Sequence, residues 1–323
     1  LMKILISGLG SIGFRHANNF KKLGVDELIG FDPELKACTN FEKHFNFPVV
    51  DSFEKGLSYS PDLTVISSPN CYHIEQAIIA AKQGSHLFIE KPLSHSLDGL
   101  DLLVGLTKEK NLFAHVGSNW KFHPAFIKMK EMVKDRVLGK ITGVQVIAGQ
   151  WLPDWHPEAD YRKMYSSSKA LSGGVVLDSH EFDYVTWLLG PVEHVYGLTA
   201  HSGTLDIETE DVAVACLKFS NGILGTVHID YIQRTYRRRY HISGDKGTLE
   251  WDYLDGKIKH YDADKKKTNT IDVEMKDFNA MYILQCEHII RGVKGMEKPV
   301  TTIVNAGNVL EIQVKIKDLE LKR

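Results

Sequence analysis

The chain has 323 residues, of which 43% are hydrophobic and 25% charged, and its formal net charge at pH 7 is -2. This composition is typical of a soluble globular protein with one large domain or two ordinary ones, and the small net charge argues against nucleic acid or an anionic membrane as a partner. Every apolar run is well short of the ~20 residues of a membrane helix.

From residue 2 to about 118, short apolar runs alternate with helical stretches. The runs are KILIS, ELIGFD, DLTVISS, HLFIE and LFAHVGS, and the clearest helix between them is HIEQAIIAAKQG. Continuous apolar strands that alternate with helices are typical of a parallel sheet covered on both faces. The sequence therefore predicts an α/β domain with a parallel sheet over residues 1–120.

After residue 120 the pattern changes to an amphipathic helix, KMKEMVKDRVLG, and then to long strand-like runs from ITGVQVIAGQW to GKIKHYD. One helix interrupts these strands near 179–189, and helical segments near 279–291 and 306–319 close the chain. This pattern predicts an α+β domain over residues 121–323, with a large mixed or antiparallel sheet that is open on one face. The C-terminal helix is a candidate to pack back on the first domain.

The first helical stretch opens with GLGSIG, which places Gly8, Gly10 and Gly13 directly after a strand. In a dinucleotide-binding (Rossmann) unit these glycines permit a tight turn, close approach of a pyrophosphate and close packing of the helix on the strand. The backbone N–H groups at Ser11 and Ile12 would then face the phosphates. A tight turn without a ligand is the alternative interpretation.

A Rossmann unit also needs an acidic residue about 20 positions later, at the end of the second strand. Asp32 stands nineteen residues after Gly13 and ends the run IGFD. A carboxylate there accepts a hydrogen bond from the ribose 2′-hydroxyl and repels a 2′-phosphate. The sequence therefore predicts NAD as the cofactor in preference to NADP.

Three further polar stretches end predicted strands: SSPNCYH (67–73), EKP (90–92) and GSNWKFHP (117–124). Together with GLGSIGFRH and the downstream GGVVLDSHEFDYVTWLLG, they make the chain resemble the glucose-fructose oxidoreductase, inositol dehydrogenase and rhizopine-catabolism (GFO/IDH/MocA) family over essentially its whole length. The resemblance implies an NAD-dependent oxidoreductase whose second domain often forms oligomer contacts through its open sheet. A homodimer or homotetramer is therefore expected.

The resemblance also implies roles for residues at these strand ends, where parallel α/β sheets bind their ligands. It makes Lys91 a catalytic residue between the nicotinamide and the substrate, often with a cis Lys91–Pro92 bond. Asn119 would lie near both cofactor and substrate. The further cofactor contacts that it implies are Ser68, Pro69, Asn70, His73 and Glu90.

In GGVVLDSHEFDYVTWLLG, Asp178 and His180 stand at a turn that enters an apolar helix. The family usually has an Asp and a His four residues apart, whereas here the spacing is two. Alignment through GGVVLD makes Asp178 the catalytic Asp, and alignment through HEFD makes His180 the catalytic His. We expect His180 to be the base, because imidazole titrates near neutrality. Asp178, lying before a helix that starts near Ser179, would orient the substrate hydroxyl or the imidazole.

A helix cap with a solvated histidine is the alternative for this segment. A metal site is not expected, because the pair of ligands at i and i+4 that one helix face would need is absent. The basic run RTYRRRYH would place Arg237 and Arg239 on one strand face and Arg238 on the other. That alternation favours a solvated or oligomer face over a phosphate clamp.

The irregular segment QWLPDWHPEADYRKMYSSSKALSGG interleaves aromatic and polar side chains, which suits a sugar. Trp155 and Arg162 are its candidate substrate contacts, the latter through a carboxylate or phosphate. His156 belongs to the same segment. A loop that only packs over the domain is the alternative interpretation.

The sequence predicts hydride transfer between NAD and a secondary alcohol of a sugar, sugar acid or nucleotide sugar. The alternatives are an NAD-retaining lyase or glycosidase and a dinucleotide-binding regulatory module without catalysis. The four cysteines lie far apart in the sequence, and the first residues resemble a strand more than a signal peptide. We therefore expect reduced thiols and a cytoplasmic location.

Overall fold

A computed structural model describes residues 2–155, 157 and 159–320 of the chain. The chain divides into two compact units. The first comprises the residues up to Asn119 together with Phe278–Leu310, and the second comprises Trp120–Asp277 together with the residues from Glu311 onward. Within the described ranges, no helix is both long and apolar enough to span a membrane.

Six parallel strands form the sheet of the first unit. They are β1 Lys3–Ser7, β2 Glu27–Phe31, β3 Val49–Val50, β4 Leu63–Ile66, β5 His86–Ile89 and β6 Ala114–Val116. Their order is β3-β2-β1-β4-β5-β6, which is that of a dinucleotide-binding doubly wound fold. The predicted α/β Rossmann domain is thereby confirmed.

The strands of this sheet are apolar on both faces, so helices cover it on both sides. The helices that follow its strands are α1 Ser11–Lys22, α2 Leu35–Phe45, α3 Phe53–Ser58, α4 His73–Lys82 and α5 Leu100–Glu109. Leu5 of β1 packs in a cluster with Phe53 and Ala77, from α3 and α4. Its neighbour Ile4 packs in a separate cluster with Phe20 of α1. Alternate residues of one strand therefore join two different cores.

The second unit contains a mixed sheet of eight strands. They are β7 Ile141–Gly149, β8 Val192–Ala200, β9 Val212–Phe219, β10 Leu224–Asp230, β11 Arg237–Gly244, β12 Gly247–Asp252, β13 Lys257–Asp262 and β14 Lys267–Asp272. Their order is β14-β13-β12-β11-β7-β10-β9-β8, and only β7 and β10 pair in parallel. The helices that precede or interrupt these strands are α6 Pro124–Lys134, α7 Val175–Asp178 and α8 Glu181–Leu189.

One face of this sheet is exposed, as the sequence predicted. Tyr196 and Leu198 of β8 are 70% and 59% exposed, whereas alternate residues of β9 are buried. In β11, Arg238 is buried and Arg239 exposed, which confirms the alternation predicted for the basic run. The oligomer expected through this face stays a prediction.

Two helices close the described chain, α9 Ala280–Val293 and α10 Ile303–Glu320. Ile289 of α9 lies in the same core cluster as Phe20 of α1. Ile303 of α10 lies in the cluster on the other face of the parallel sheet. In the second unit, Gln313 donates from Nε2 to the carbonyl oxygen of Val176 at 2.7 Å. The early part of α10 thus packs in the core of the first unit, and its later part makes a hydrogen bond within the second.

Candidate functional site

The turn between β1 and α1 requires glycines, because a larger side chain would clash with the neighbouring backbone. Gly8 has a φ of +90°, and a Cβ added there would lie 2.4 Å from the carbonyl carbon of Ser67. A Cβ on Gly13 would lie 1.9 Å from the Gly8 oxygen, so the fold itself requires both glycines. Around Gly10, by contrast, no atom of the described residues beyond its chain neighbours lies within 4 Å of an added Cβ. Gly10 therefore leaves the room that close approach of a pyrophosphate needs.

Helix α1 begins at this turn without help from side chains. In the described part of the chain, no side chain caps it, and its first turn contains no acidic residue. The first N–H groups of a helix, here those around Ser11 and Ile12, have no intrahelical acceptor, and the helix dipole favours an anion beside them. This end of α1 fits a phosphate group.

Asp32 follows β2 and is fixed by two backbone N–H groups. Its Oδ2 accepts from Leu9 at 2.7 Å, and its Oδ1 accepts from Glu34 at 2.8 Å. The first of these bonds ties the carboxylate to the glycine-rich turn. Each oxygen keeps a second lone pair, so the carboxylate fits a ribose hydroxyl as a further donor.

The segment after β4 is held by a buried histidine. His73, at the start of α4, has Nε2 2.7 Å from the carbonyl oxygen of Ser68 and Nδ1 2.9 Å from that of Pro92. Burial lowers the pKa of His73, although the two carbonyl contacts act in the opposite direction. The ring thus links the loop of Ser68, Pro69 and Asn70 to the EKP segment. Its predicted contact with the cofactor stays a prediction.

The EKP segment is anchored through Glu90. Its Oε1 lies 2.6 Å from Nε2 of His16 on α1, and its Oε2 accepts the backbone N–H of Lys91 at 3.1 Å. Burial acts to raise the pKa of Glu90, but the hydrogen bond and charge of His16, with the charge of Lys91, hold it below its usual range. The Lys91–Pro92 peptide bond is cis, as the resemblance implied.

Asn119 is buried at the end of the first unit's main segment. Its Nδ2 donates to Sδ of Met281 on α9 at 3.3 Å. The preceding backbone N–H, that of Ser118, donates to Gln285 at 2.9 Å. Helix α9 therefore fixes the position of Asn119, and its predicted role near cofactor and substrate stays a prediction.

In the second unit, Asp178 is the last residue of α7 and is 5% exposed. Its Oδ1 accepts from the hydroxyl of Tyr165, and its Oδ2 accepts from Ser166 at 3.3 Å and Tyr231 at 3.1 Å. Asp178 precedes α8, as predicted from the two-residue spacing. Two of these three hydroxyl groups, those of Tyr165 and Ser166, anchor the irregular segment before α7, whereas Tyr231 follows β10.

His180 stands directly before α8 and is partly exposed. Its Nδ1 lies 3.0 Å from the hydroxyl of Tyr184, and its backbone N–H donates to Oε2 of Glu181 at 3.1 Å. Ser179 caps the turn, because its hydroxyl accepts the N–H of Glu181 at 3.1 Å. The predicted cap is therefore present beside the histidine, and the catalytic role predicted for His180 stays a prediction.

Two buried ion pairs support this turn, and the sequence did not reveal either. Oε1 of Glu181 lies 2.8 Å from Nε of Arg238, and Nζ of Lys121 donates to Asp183 at 2.7 Å. Burial lowers the pKa of Lys121 and raises that of Asp183, while their mutual attraction opposes both shifts. All four residues stand in stretches that were noted for other reasons, namely GSNWKFHP, GGVVLDSHEFDYVTWLLG and RTYRRRYH.

The irregular segment before α7 holds the two candidate substrate contacts. Trp155 packs edge-on against Tyr231, with ring centroids 5.3 Å apart. Arg162 is exposed and donates twice to Asp160, at 2.7 and 2.9 Å. His156 lies outside the described residues. In those that are described, no cluster of three or more His, Cys, Asp or Glu side chains is placed to hold a metal ion.

Both halves of the chain match known protein families. Residues 2–118 match an oxidoreductase family with an NAD-binding Rossmann fold, and residues 126–250 match the GFO/IDH/MocA C-terminal domain. The chain belongs to the GFO/IDH/MocA family of oxidoreductases. This confirms the family that the motifs predicted, and with it NAD as the cofactor of the first domain.

Several members of the family are similar to this chain. A myo-inositol 2-dehydrogenase of Thermotoga maritima is 30% identical over 268 residues, which cover 77% of this chain and 74% of the relative. An NAD⁺-dependent scyllo-inositol 2-dehydrogenase of Bacillus subtilis is 24% identical over 97% of this chain and 92% of its own.

Among solved structures, a levoglucosan dehydrogenase in complex with NADH and levoglucosan superposes with a TM-score of 0.87. It is 17% identical, and the match covers 99% of this chain and 97% of the other. At this identity the likeness concerns the fold alone.

Replacing Asp32 by Asn tests the basis of cofactor choice. The change removes the charge but keeps a side-chain oxygen for the Leu9 N–H. We expect the preference for NADH over NADPH to narrow by about tenfold, which corresponds to ~1.4 kcal/mol, because the amide no longer repels a 2′-phosphate. Fluorescence titration with both dinucleotides measures the ratio. Asp26→Asn makes the same charge change at an exposed residue at the other end of β2 and should keep the wild-type ratio. A wild type that prefers NADPH would contradict this assignment.

Replacing Glu90 by Gln tests the anchor of the EKP segment. Because the folded-state pKa of Glu90 is lowered, its charge stabilises the fold above the unfolded pKa of about 4.3, and this contribution is lost as the pH falls through the folded-state pKa. We expect Glu90→Gln to cost about 1–3 kcal/mol at neutral pH and less in acid. The difference in urea midpoint between variant and wild type, measured at both pH values, reports this.

Glu75→Gln is the matched control for this experiment, since Glu75 is an exposed acid on α4. It should leave the midpoint close to that of the wild type at both pH values. An equal loss for Glu90→Gln and Glu75→Gln, or a loss for Glu90→Gln that grows in acid, would refute the anchoring role.

Proposed function

We propose that the protein catalyses the NAD-dependent oxidation of a secondary alcohol in a sugar, sugar acid or nucleotide-linked sugar, or the reverse reduction. Residues 1–120 would hold the cofactor and residues 121–323 the substrate. The observation that carries the proposal is the placement of Lys91 directly after β5, with its backbone fixed by Glu90 in the unit that also holds the glycine-rich turn. The inositol dehydrogenases among the relatives support the substrate class.

The cofactor contacts follow from the geometry of the first unit. Gly10 and the start of α1 would receive the pyrophosphate, and Asp32 would accept from a ribose hydroxyl. The nicotinamide end would meet the residues that the family motifs imply, namely Ser68, Pro69, Asn70, His73, Glu90, Lys91 and Asn119. Bound NAD would supply the acceptor for the hydride that leaves the alcohol carbon.

Lys91 and His180 are the proposed catalytic residues. The ammonium group of Lys91 would stabilise the negative charge that develops on the substrate oxygen, where a positive charge is most valuable in a site that excludes water. His180 would make the second contact with that oxygen. Whether it removes the hydroxyl proton or donates a hydrogen bond depends on which of its ring nitrogens carries hydrogen.

The remaining predicted residues have supporting roles in this proposal. Asp178 would act as a positioning residue, because its carboxylate already accepts from Tyr165, Ser166 and Tyr231. Trp155 would offer a ring to the C–H face of a sugar. Arg162 would bind an anionic substituent in exchange for Asp160, since solvent screens an exposed ion pair of this kind and makes it weak.

A screen of polyols, sugars, sugar acids and nucleotide sugars for NADH formation tests the function. We expect at least one compound to reduce NAD stoichiometrically, read as absorbance of released NADH. Conversion of a compound without net NADH would support the NAD-retaining alternative instead. NADH binding without conversion of any compound would support the regulatory alternative and contradict the proposal.

The contribution of Lys91 is measured with the compound that the screen identifies. We expect Lys91→Ala to lower kcat by about 100-fold or more, the loss typical of one group that stabilises charge in the transition state. The dissociation constant for NADH should stay within a few-fold of the wild type. Lys82→Ala, which removes an exposed lysine from the last turn of α4, should keep both values. A large loss of NADH affinity with unchanged kcat would make Lys91 a cofactor clamp.

A further inference from the structure

Arg234 lies in the short connection between β10 and β11, where its guanidinium group lies over the ring of Trp151. Its Cζ is 3.6 Å from the centroid of that ring. An arginine stacks favourably on an aromatic face, and its N–H groups can still donate to an acceptor beside the ring. The Arg234 side chain is exposed, and no carboxylate of the described chain pairs with it. The pair therefore offers a positive charge that is held in place and has its hydrogen-bond donors open.

The arginines that follow in the basic run are not available in this way. Each lies close to a carboxylate: Arg237 2.6 Å from Asp252, Arg238 2.8 Å from Glu181 and Arg239 3.5 Å from Glu250. Arg162, the anion contact predicted from the sequence, donates twice to Asp160. An anionic ligand would have to displace a carboxylate from any of these arginines, whereas Arg234 needs no such exchange.

The turn that carries Arg234 is fixed by the carboxylate of Asp230, which is 4% exposed. Its Oδ1 accepts the backbone N–H groups of Ile232 at 3.0 Å and Gln233 at 2.8 Å. Its Oδ2 accepts from Nε2 of Gln233 at 2.7 Å. This acid therefore shapes the turn, and its oxygens are committed to donors other than Arg234.

The segments that carry Arg234 and Trp151 leave the same edge of the eight-stranded sheet. β7 and β10 pair in parallel, and their last residues are opposite each other. The carboxyl ends of parallel strands therefore meet at one edge, where such sheets bind ligands. The N–H of Leu152 donates to the carbonyl oxygen of Tyr231 at 2.9 Å. The ring and the guanidinium group thus come from neighbouring connections that a backbone hydrogen bond joins.

The connection after β10 also contacts both sides of the turn that carries His180. Tyr231, its first residue, donates to Oδ2 of Asp178 at 3.1 Å. Arg238, which follows it in β11, pairs with Glu181. Asp178 and Glu181 stand two positions before and one position after His180. The stacked pair therefore lies at the edge of the second unit that holds the histidine proposed to meet the substrate.

We propose that Arg234 is a specificity-determining residue that binds an anionic group of the substrate, either a carboxylate or a phosphate. A guanidinium fork donates two parallel hydrogen bonds to such a group, and stacking on Trp151 reduces the freedom that the side chain loses on binding. This inference rests on the proposed function and narrows it, because it makes the substrate a sugar acid or a nucleotide-linked sugar in preference to a neutral sugar or polyol. Arg234 contacts a substituent away from the reacting carbon and takes no part in hydride or proton transfer.

Isothermal titration with three probes tests the site, with NADH present at saturation so that the dinucleotide site is occupied. D-glucuronate carries a carboxylate, UDP-glucose carries phosphates, and D-glucose is the neutral counterpart of both. We expect at least one anionic probe to bind the wild type about tenfold or more tighter than D-glucose, and Arg234→Gln to remove this advantage. Arg234→Lys keeps the charge but loses the fork and should give an intermediate affinity. The anionic probe that loses more in Arg234→Gln distinguishes a sugar acid from a nucleotide-linked sugar.

Arg136→Gln is the matched control, because it removes the same charge at an exposed arginine of the same unit. It should keep the wild-type affinities for all three probes. Anionic probes that bind no more tightly than D-glucose would overturn the proposal. An equal loss in both glutamine variants, or a wild-type preference that persists in Arg234→Gln, would overturn it as well.

The screen for NADH formation separates failure of this inference from failure of the proposed function. For an anionic compound that is oxidised, Arg234→Gln should raise KM about tenfold and keep kcat within a few-fold, the pattern of a lost uniform binding contact. A neutral sugar or polyol as the best substrate, with its KM unchanged in Arg234→Gln, would overturn this inference and leave the proposed function intact. Binding of an anionic probe through Arg234 without NADH formation from any compound would support the site and contradict the proposed function.

Discussion

A hydrogen bond of 2.6 Å between His16 and Glu90 joins the helix that starts at the glycine-rich turn to the end of β5. His16 is fully buried and Glu90 nearly so, and a buried charge is tolerated only when it is paired. The other oxygen of Glu90 accepts the backbone N–H of Lys91. One largely buried carboxylate therefore joins the helix that follows the glycine-rich turn to the backbone of the lysine proposed for catalysis.

The second unit repeats this arrangement at His180. Oε2 of Glu181 accepts the backbone N–H of His180 at 3.1 Å, as Oε2 of Glu90 does for Lys91 at the same distance. Glu181 is paired in turn with Arg238, a buried residue of β11. In both units a buried acid thus fixes the backbone of a neighbouring residue with a proposed catalytic role. The backbone position of Lys91 and that of His180 therefore each depend on a paired charge inside the unit that carries them.

Local patterns predicted the longer strands and helices, but neither the two-residue strand β3 nor the partners of buried polar groups. The glycine spacing, Asp32 and the apolar strands follow rules that act over a few residues, and the structure has them where the sequence placed them. The Lys121–Asp183 pair joins residues 62 positions apart, and the donors to Asp178 come from both sides of α7. Contacts of this kind are set by tertiary packing, which one sequence does not display.

The NADH affinity of Gly10→Ala tests most directly the claim that this turn holds the dinucleotide. Gly10 has φ -68° and ψ -167°, an extended backbone that alanine adopts, and its Cβ would meet no described atom within 4 Å beyond its chain neighbours. The variant should unfold at the wild-type urea midpoint, yet bind NADH at least about tenfold more weakly, since the methyl group occupies the space of the pyrophosphate. Gly105→Ala, at an equally open position on α5, should keep the wild-type affinity. Unchanged NADH affinity in Gly10→Ala would contradict the account.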